Sequence, residues 1–132
     1  MHEPRPVRKR ALEQVLSDPW VTEQRDAGGQ IMVCGLTGRI LHADDGIAAL
    51  ADRPRLPNNA FDMIAPGHAV QASTLVARHL GRPLVTRFPW SGPDGALHWC
   101  RFEVRWPKGL VLMAVFPERD PSRHHVHAER AR

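Results

Sequence analysis

The sequence predicts an α+β fold: a curved antiparallel sheet with helices on one face and a helical extension at the N-terminus. Three observations carry this. Apolar stretches at residues 30–35 and 39–43 are joined by the turn Leu36-Thr37-Gly38. Two longer strand-like stretches meet at Ser91-Gly92-Pro93-Asp94-Gly95, and a last one, 109–116, is reached through Pro107-Lys108-Gly109. Between the first pair and the last three lies a small-residue, helix-like segment. Two strands, several helices and three strands fold into a cup, a shape suited to a small ligand or a partner helix.

Residues 1–7 hold two prolines and mixed charge and predict no stable element. Residues 8–16 predict a short helix, because Ala11, Leu12, Val15 and Leu16 recur at helical spacing. Ser17 or Asp18 before Pro19 reads as a stop and a fresh start, with an N-cap ahead of a proline in the first turn. The new helix covers 19–26, is anchored by Trp20 and Val21, and ends at Gly28-Gly29.

The strand at 30–35 is apolar on both faces, Ile31 and Val33 on one and Met32 and Cys34 on the other. The strand at 109–116 repeats this, with Leu110, Leu112, Ala114 and Phe116 against Val111, Met113 and Val115. A half-solvated antiparallel strand alternates apolar with polar, so these two must be central and covered on both sides. One cover is the domain's own helices. The other is the N-terminal helix or a second copy of the chain, and the pattern leaves open which parity faces outward. The strand at 96–106 differs: Cys100, Phe102, Val104 and Trp106 share one side, and Leu97, Trp99, Arg101, Glu103 and Arg105 the other.

In the middle segment, Asp44 or Asp45 is placed to cap a short helix ending at Leu50. Pro54, Pro57 and Asn58-Asn59 mark irregular chain, and 61–64 predict one helical turn before Pro66-Gly67. The longest helix of the region is expected over 68–80, closed by Gly81 with Pro83 beyond.

Composition narrows the function classes. With 132 residues and 42% hydrophobic content, the chain is one globular domain with a real core. No run reaches the roughly 18–20 apolar residues that span a bilayer, and Asp18-Pro19 interrupt any secretion signal after the basic Arg5, Arg8, Lys9 and Arg10. The expected location is the cytoplasm, with Cys34 and Cys100 as reduced, buried thiols. The net charge of +4 is split between the two termini, without a basic stripe interleaved with aromatics, which argues against nucleic-acid binding. His124, His125 and His127 lie in a polar tail without acidic or cysteine partners, a poor metal site.

Taken together, Thr37-Gly38-Arg39-Ile40-Leu41, Phe61-Asp62-Met63-Ile64-Ala65-Pro66, and Asp94-Gly95 followed by Trp99 give the chain a resemblance to PAS domains over residues 30–116. The resemblance implies a five-stranded antiparallel sheet with its first and fifth strands adjacent at the centre. It divides the chain into an N-terminal helical extension (1–27), a PAS-like domain (28–117) and a basic, His-rich tail (118–132). There are departures. The family's asparagine after the second strand is replaced by Asp44-Asp45, and the acidic pair after the proline by Gly67-His68. The flavin-linking cysteine motif is absent, its neighbourhood reading Asn58-Asn59-Ala60-Phe61, which argues against flavin–cysteine photochemistry. No kinase, cyclase or DNA-binding module accompanies the domain, so the resemblance implies a signal that leaves through a partner protein.

The resemblance also directs attention to histidines, since haem-binding members use one in this helix region. On a helical wheel His68, Ala72, Leu75 and His79 share a stripe at the border of an apolar face centred on Ala69, Val76 and Leu80. The two histidines lie about 16 Å apart along the axis, too far to share an ion. Trp99 is placed either to stack on a ligand or to pack the core. The expected ligand-binding set is therefore Met63, His68, Leu75, His79, Trp99 and Met113, with no catalytic or metal-binding residue assigned. A homodimer interface is expected at Leu12, Leu16, Trp20, Leu112 and Ala114, on the outer sheet face and the N-terminal helices. The expected function is a non-catalytic PAS-type sensor or signalling regulator, acting through ligand binding or protein–protein contact. A haem- or acyl-binding sensor and a small cup-shaped α+β enzyme are the alternatives; an enzyme needs an acid or base at the cup, and none is visible.

Overall fold

The structure is a computed structural model that describes residues 5–118, with side chains from residue 9 onward. The tail histidines lie outside the described residues. The first helix, α1 (Arg5–Leu16), starts earlier than its apolar spacing predicts. Pro6 permits this, because first-turn backbone N–H groups have no partner within the helix. The second, α2 (Pro19–Asp26), begins as expected: Asp18 Oδ1 accepts from the Trp20 N–H at 2.8 Å, with Pro19 in the first turn. Gly28 then turns the chain at φ +95°, and Gly29 passes so close to the β-sheet that a Cβ there would lie 2.8 Å from Phe116 Cζ.

Five strands follow: β1 (Gln30–Cys34), β2 (Ile40–Ala43), β3 (Leu84–Ser91), β4 (Leu97–Arg105) and β5 (Val111–Pro117). They form one antiparallel sheet in the order β2-β1-β5-β4-β3, so β1 and β5 are adjacent inside the sheet, as the resemblance implies. Residues 107–109 form a 3₁₀ turn with Lys108 at φ +52°, which delays β5 to Val111. Trp106 leaves β4 because its indole N–H donates to the Arg82 carbonyl at 2.6 Å.

Between β2 and β3 lie α3 (Gly46–Leu50), 3₁₀ turns at Ala60–Met63 and Pro66–His68, and α4 (Ala69–Arg78). The expected helix over 68–80 is shorter at both ends. His68 belongs to the preceding 3₁₀ turn, and His79 is the C-cap, where its N–H bonds the Leu75 carbonyl at 3.2 Å. Leu80, expected near the centre of the apolar face, is 58% exposed because the helix has already ended. The turn at Ala60–Met63 is capped by Asn59, whose Oδ1 accepts from the Phe61 N–H at 2.9 Å while its amide donates to the Thr37 carbonyl at 2.9 Å.

The sheet separates two apolar clusters, and this settles the parity that the sequence leaves open. Met32, Cys34, Phe102, Val104, Val111 and Val115 face α3, α4 and the 3₁₀ turns. Ile31, Val33, Leu110, Leu112, Ala114 and Phe116 face Val15 and Val21 of α1 and α2. The outer cover of β1 and β5 is thus the N-terminal extension of the same chain. The five residues expected at an interface all belong to this outer cluster, and Leu112 and Ala114 are only 2% and 0% exposed. Each fully buried aliphatic side chain here contributes about 1.5–3 kcal/mol, so the extension is an integral part of the packing. Arg105 reinforces it, with its guanidinium 4.7 Å from the centre of the Trp20 ring.

Candidate functional site

An apolar cavity of about 70 Å³ lies between the inner sheet face and α4. Alternation along the strands builds its floor. Met32 of β1 and Met113 of β5 are directly paired, Cys34 and Val111 are paired beside them, and Thr86 of β3 is paired with Phe102 of β4. Phe88 and Trp90 continue the β3 wall, and Trp90 packs edge-on against Phe102 with ring centres 5.4 Å apart. The roof is Ala72 and Val76 of α4 with Ala60, Phe61 and Ile64. Leu36, 55% exposed, marks where the lining meets solvent, and Gly38 lines the wall as a buried residue. Gly38 sits at φ +96°, and a Cβ on it would lie 2.6 Å from Asn59 Oδ1 and 2.7 Å from the Phe61 ring, so this position requires glycine.

The lining contains no charged side chain and no histidine. Its polar side-chain groups are the Thr86 hydroxyl, the Trp90 indole N–H and the Cys34 thiol, and burial pushes that thiol up to about 12, so it is neutral.

Of the expected ligand-binding set, Met113 lines this cavity. Met63 is fully buried in the same core without reaching the space, and Leu75 packs at the core's edge. His68 lies instead near the β3 edge, with Trp99 and Phe88 edge-on at 5.6 and 6.4 Å between ring centres. That placement follows from the chain path, since the Ala65 N–H bonds the Pro89 carbonyl at 2.9 Å. His79 turns back on its own helix, with Nδ1 3.0 Å from the Leu75 carbonyl oxygen. Trp99 lies on the charged side of β4, opposite Pro89, and does not line the cup.

Haem does not fit these residues. The cavity is far smaller than the roughly 300–1,000 Å³ of sites for drug-sized ligands, and neither candidate histidine reaches it. A flavin, with several polar ring positions, would meet only the Thr86 hydroxyl, the Trp90 indole N–H and the Cys34 thiol among the lining side chains. The cavity residues absent from the expected set, chiefly Phe61, Thr86, Phe88 and Trp90, had a partial signal: alternation over β3 places 86, 88 and 90 on one face.

A second constellation joins the extension to the sheet. Arg25 donates to Asp44 through Nη2 at 2.7 Å and Nε at 3.0 Å, the Ile31 N–H donates at 2.9 Å, and His42 Nε2 lies 3.0 Å from Asp44 Oδ1. Burial opposes ionisation of Asp44, but the bonds from Arg25, His42 and Ile31 outweigh it and hold the carboxyl at about 2. Asp44 is therefore not a helix cap. Asp45 occupies the cap position of α3 without a side-chain bond, and the Asp44 carboxylate is engaged with Arg25, Ile31 and His42 instead.

Compared by sequence, the chain matches no family model and no curated protein. Solved structures do match in shape, among them PAS and light-oxygen-voltage domains. A light-oxygen-voltage domain studied with a flavin analogue gives a TM-score of 0.63 at 13% identity, over 89% of this chain and 98% of that one. The PAS domain of the Cronobacter turicensis RpfR quorum-sensing receptor in complex with BDSF gives 0.56 at 12% identity, over 67% and 92%. The PAS domain of the fruit-fly ELK potassium channel gives 0.56 at 14%, over 76% and 94%. The chain has the PAS fold. Identities this low establish the PAS architecture and leave ligand and partner to be argued from the residues. No helix of the described residues is long and apolar enough to cross a membrane.

Proposed function

We propose that this chain is a non-catalytic PAS-type sensory module whose cup binds a small apolar ligand and reports its occupancy to a protein partner. The observation that carries the reading is the cavity itself, an apolar space walled by four strands and α4 and opening beside Leu36. Its lining supplies no carboxylate, imidazole or cationic group for acid–base chemistry, which favours binding over catalysis. Similar folds in a quorum-sensing receptor and an ion channel support a signalling role.

In this reading the signal crosses the sheet. Met113 touches the cup while its neighbours Leu112 and Ala114 touch α1 and α2, so a shift of β5 reaches the extension directly. The partner, a second copy of the chain or a separate signalling protein, meets the extension or the uncovered rim of the sheet. There Val85 and Leu97 are 59% and 53% exposed. Xenon or pentane titration followed by NMR tests the core of the proposal. Shifts confined to residues around Met32, Phe88 and Met113 support it, and an unresponsive cavity overturns it.

A further inference from the structure

Resting on that reading, we infer that the cup selects a small uncharged ligand, with an apolar body of which about three heavy atoms are enclosed and one hydroxyl or carbonyl oxygen received by Thr86. Size comes first. By the measure that a cavity of about 150 Å³ takes the six carbons of benzene, 70 Å³ encloses about three heavy atoms, and a longer chain extends toward the exposed Leu36. Met32 and Met113 lie side by side on the floor, and their flexible thioethers can adjust to a chain slightly longer or kinked.

Charge is excluded by the same walls. A carboxylate entering this space would lose its water and find no Lys, Arg or His among the lining residues. A compact cation would find no carboxylate, only the rings of Phe61, Phe88, Phe102 and Trp90, and Trp90 and Phe102 are already packed edge-on against each other. Neutral molecules meet no such penalty.

The oxygen requirement follows from Thr86. Its side chain shares the inner face of β3 with Phe88 and Trp90, is half-buried, and makes no hydrogen bond among the described residues. A pure hydrocarbon would cover this hydroxyl without bonding it. A ligand oxygen would satisfy it by accepting its proton or donating one. The neutral Cys34 thiol on β1 is too weak a donor to compete, and the Trp90 indole N–H, a donor only, cannot accept an alcohol's proton, so Thr86 alone serves both directions.

The test uses the intact protein with pentan-1-ol, pentane, pentanoate, tetramethylammonium and xenon, read by calorimetry and by the change in tryptophan fluorescence. Pentan-1-ol is expected to bind at least tenfold more tightly than pentanoate or tetramethylammonium at pH 7. Thr86→Val is expected to weaken pentan-1-ol by up to about tenfold, the worth of one hydrogen bond, while leaving pentane unchanged. Thr86→Ser should retain the preference, and the comparison among ligands on the unaltered protein stands even if a variant fails to fold. Equal or tighter binding of pentanoate or tetramethylammonium overturns the ligand class, and Thr86→Val without effect on pentan-1-ol overturns the role of Thr86. In both cases the cup remains a binding site. If xenon and pentane also fail to bind, the cavity reading itself falls.

Discussion

Arg25 grips Asp44 through two parallel hydrogen bonds, of 2.7 and 3.0 Å, and so ties the last turn of α2 to the end of β2. The same carboxylate accepts the first N–H of β1 beyond Gln30 and lies against His42. One residue thereby locks the helical extension to the edge of the sheet at the point where the chain enters it.

Asp44→Asn is expected to destabilise the protein at neutral pH and not at very low pH. The folded carboxyl is held at about 2, below its ordinary value near 3.9 in an unfolded chain. A depressed carboxylate stabilises the fold above the unfolded value, and that contribution disappears as pH falls through about 4 toward 2. Arg25 is 41% exposed, so solvent screens the pair and the expected loss is about 1–2 kcal/mol. Thermal melts should separate the variant from the parent by several degrees at pH 7 and converge near pH 2. A constant difference across that range would remove ionisation of Asp44 as the cause.

The way these contacts arise shows what a sequence can disclose. The two-sided apolar patterns of 30–35 and 109–116 disclosed the inner strands, because a period of two needs only local residues. Which parity faced the cup was hidden, since both faces are apolar and only the packing of Val15 and Val21 on Leu112 and Ala114 distinguishes them. Asp18 was legible as a cap because its partner is two residues away. Asp44 was misjudged for the opposite reason: its main partner lies on another helix, 19 residues earlier. The histidine stripe failed because α4 spans only Ala69–Arg78, so a helical wheel extended to His68 or His79 places side chains on a helix that is not there. Ala72, on that same stripe, does lie on the helix and does line the cavity.

Cys34 and Cys100 are expected to remain reduced and unbridged. Both are free and buried, on β1 and β4, with β5 between them. Cys34 pairs with Val111 and Cys100 with Pro117, which separates them by about 20 Å along β5. A disulfide needs Cα atoms within about 7 Å. Burial pushes both thiols up to about 12, with Glu118 adding to the effect at Cys100. At pH 7 the reactive thiolate is then on the order of one part in 10⁵. Alkylation without reductant should label neither cysteine in the native protein within minutes, and both after denaturation. A single label or an internal bridge would contradict the strand register.

Removing residues 1–27 is expected to produce aggregation or strong binding of a hydrophobic dye. The deletion uncovers Ile31, Val33, Leu112, Ala114 and Phe116, which α1 and α2 otherwise cover. It also removes Arg25, leaving Asp44 without its strongest hydrogen-bond partner. Size-exclusion chromatography and dye fluorescence read the outcome. A monomeric truncation with unchanged melting would mean that the outer cluster contributes nothing to stability.

Two adjacent residues of β5 allow the two faces of the sheet to be tested separately. Leu112 is 2% exposed beneath α1 and α2, whereas Met113 points into the cavity and is half-buried near space that opens to solvent. A glutamate at 112 would be an unpaired charge between the sheet and its own N-terminal cover, so Leu112→Glu should cost several kcal/mol and release the extension to proteases. Met113→Glu carries the same charge into the cup, where the carboxylate can draw water through the mouth beside Leu36. It should cost less, leave α1 and α2 docked, and abolish uptake of small apolar ligands. Limited proteolysis at the 17–18 corner, a thermal melt and xenon titration distinguish the two variants. If Leu112→Glu leaves both melting and protease resistance unchanged, the extension does not seal the outer face, and the route from Met113 through Leu112 to α2 loses its basis.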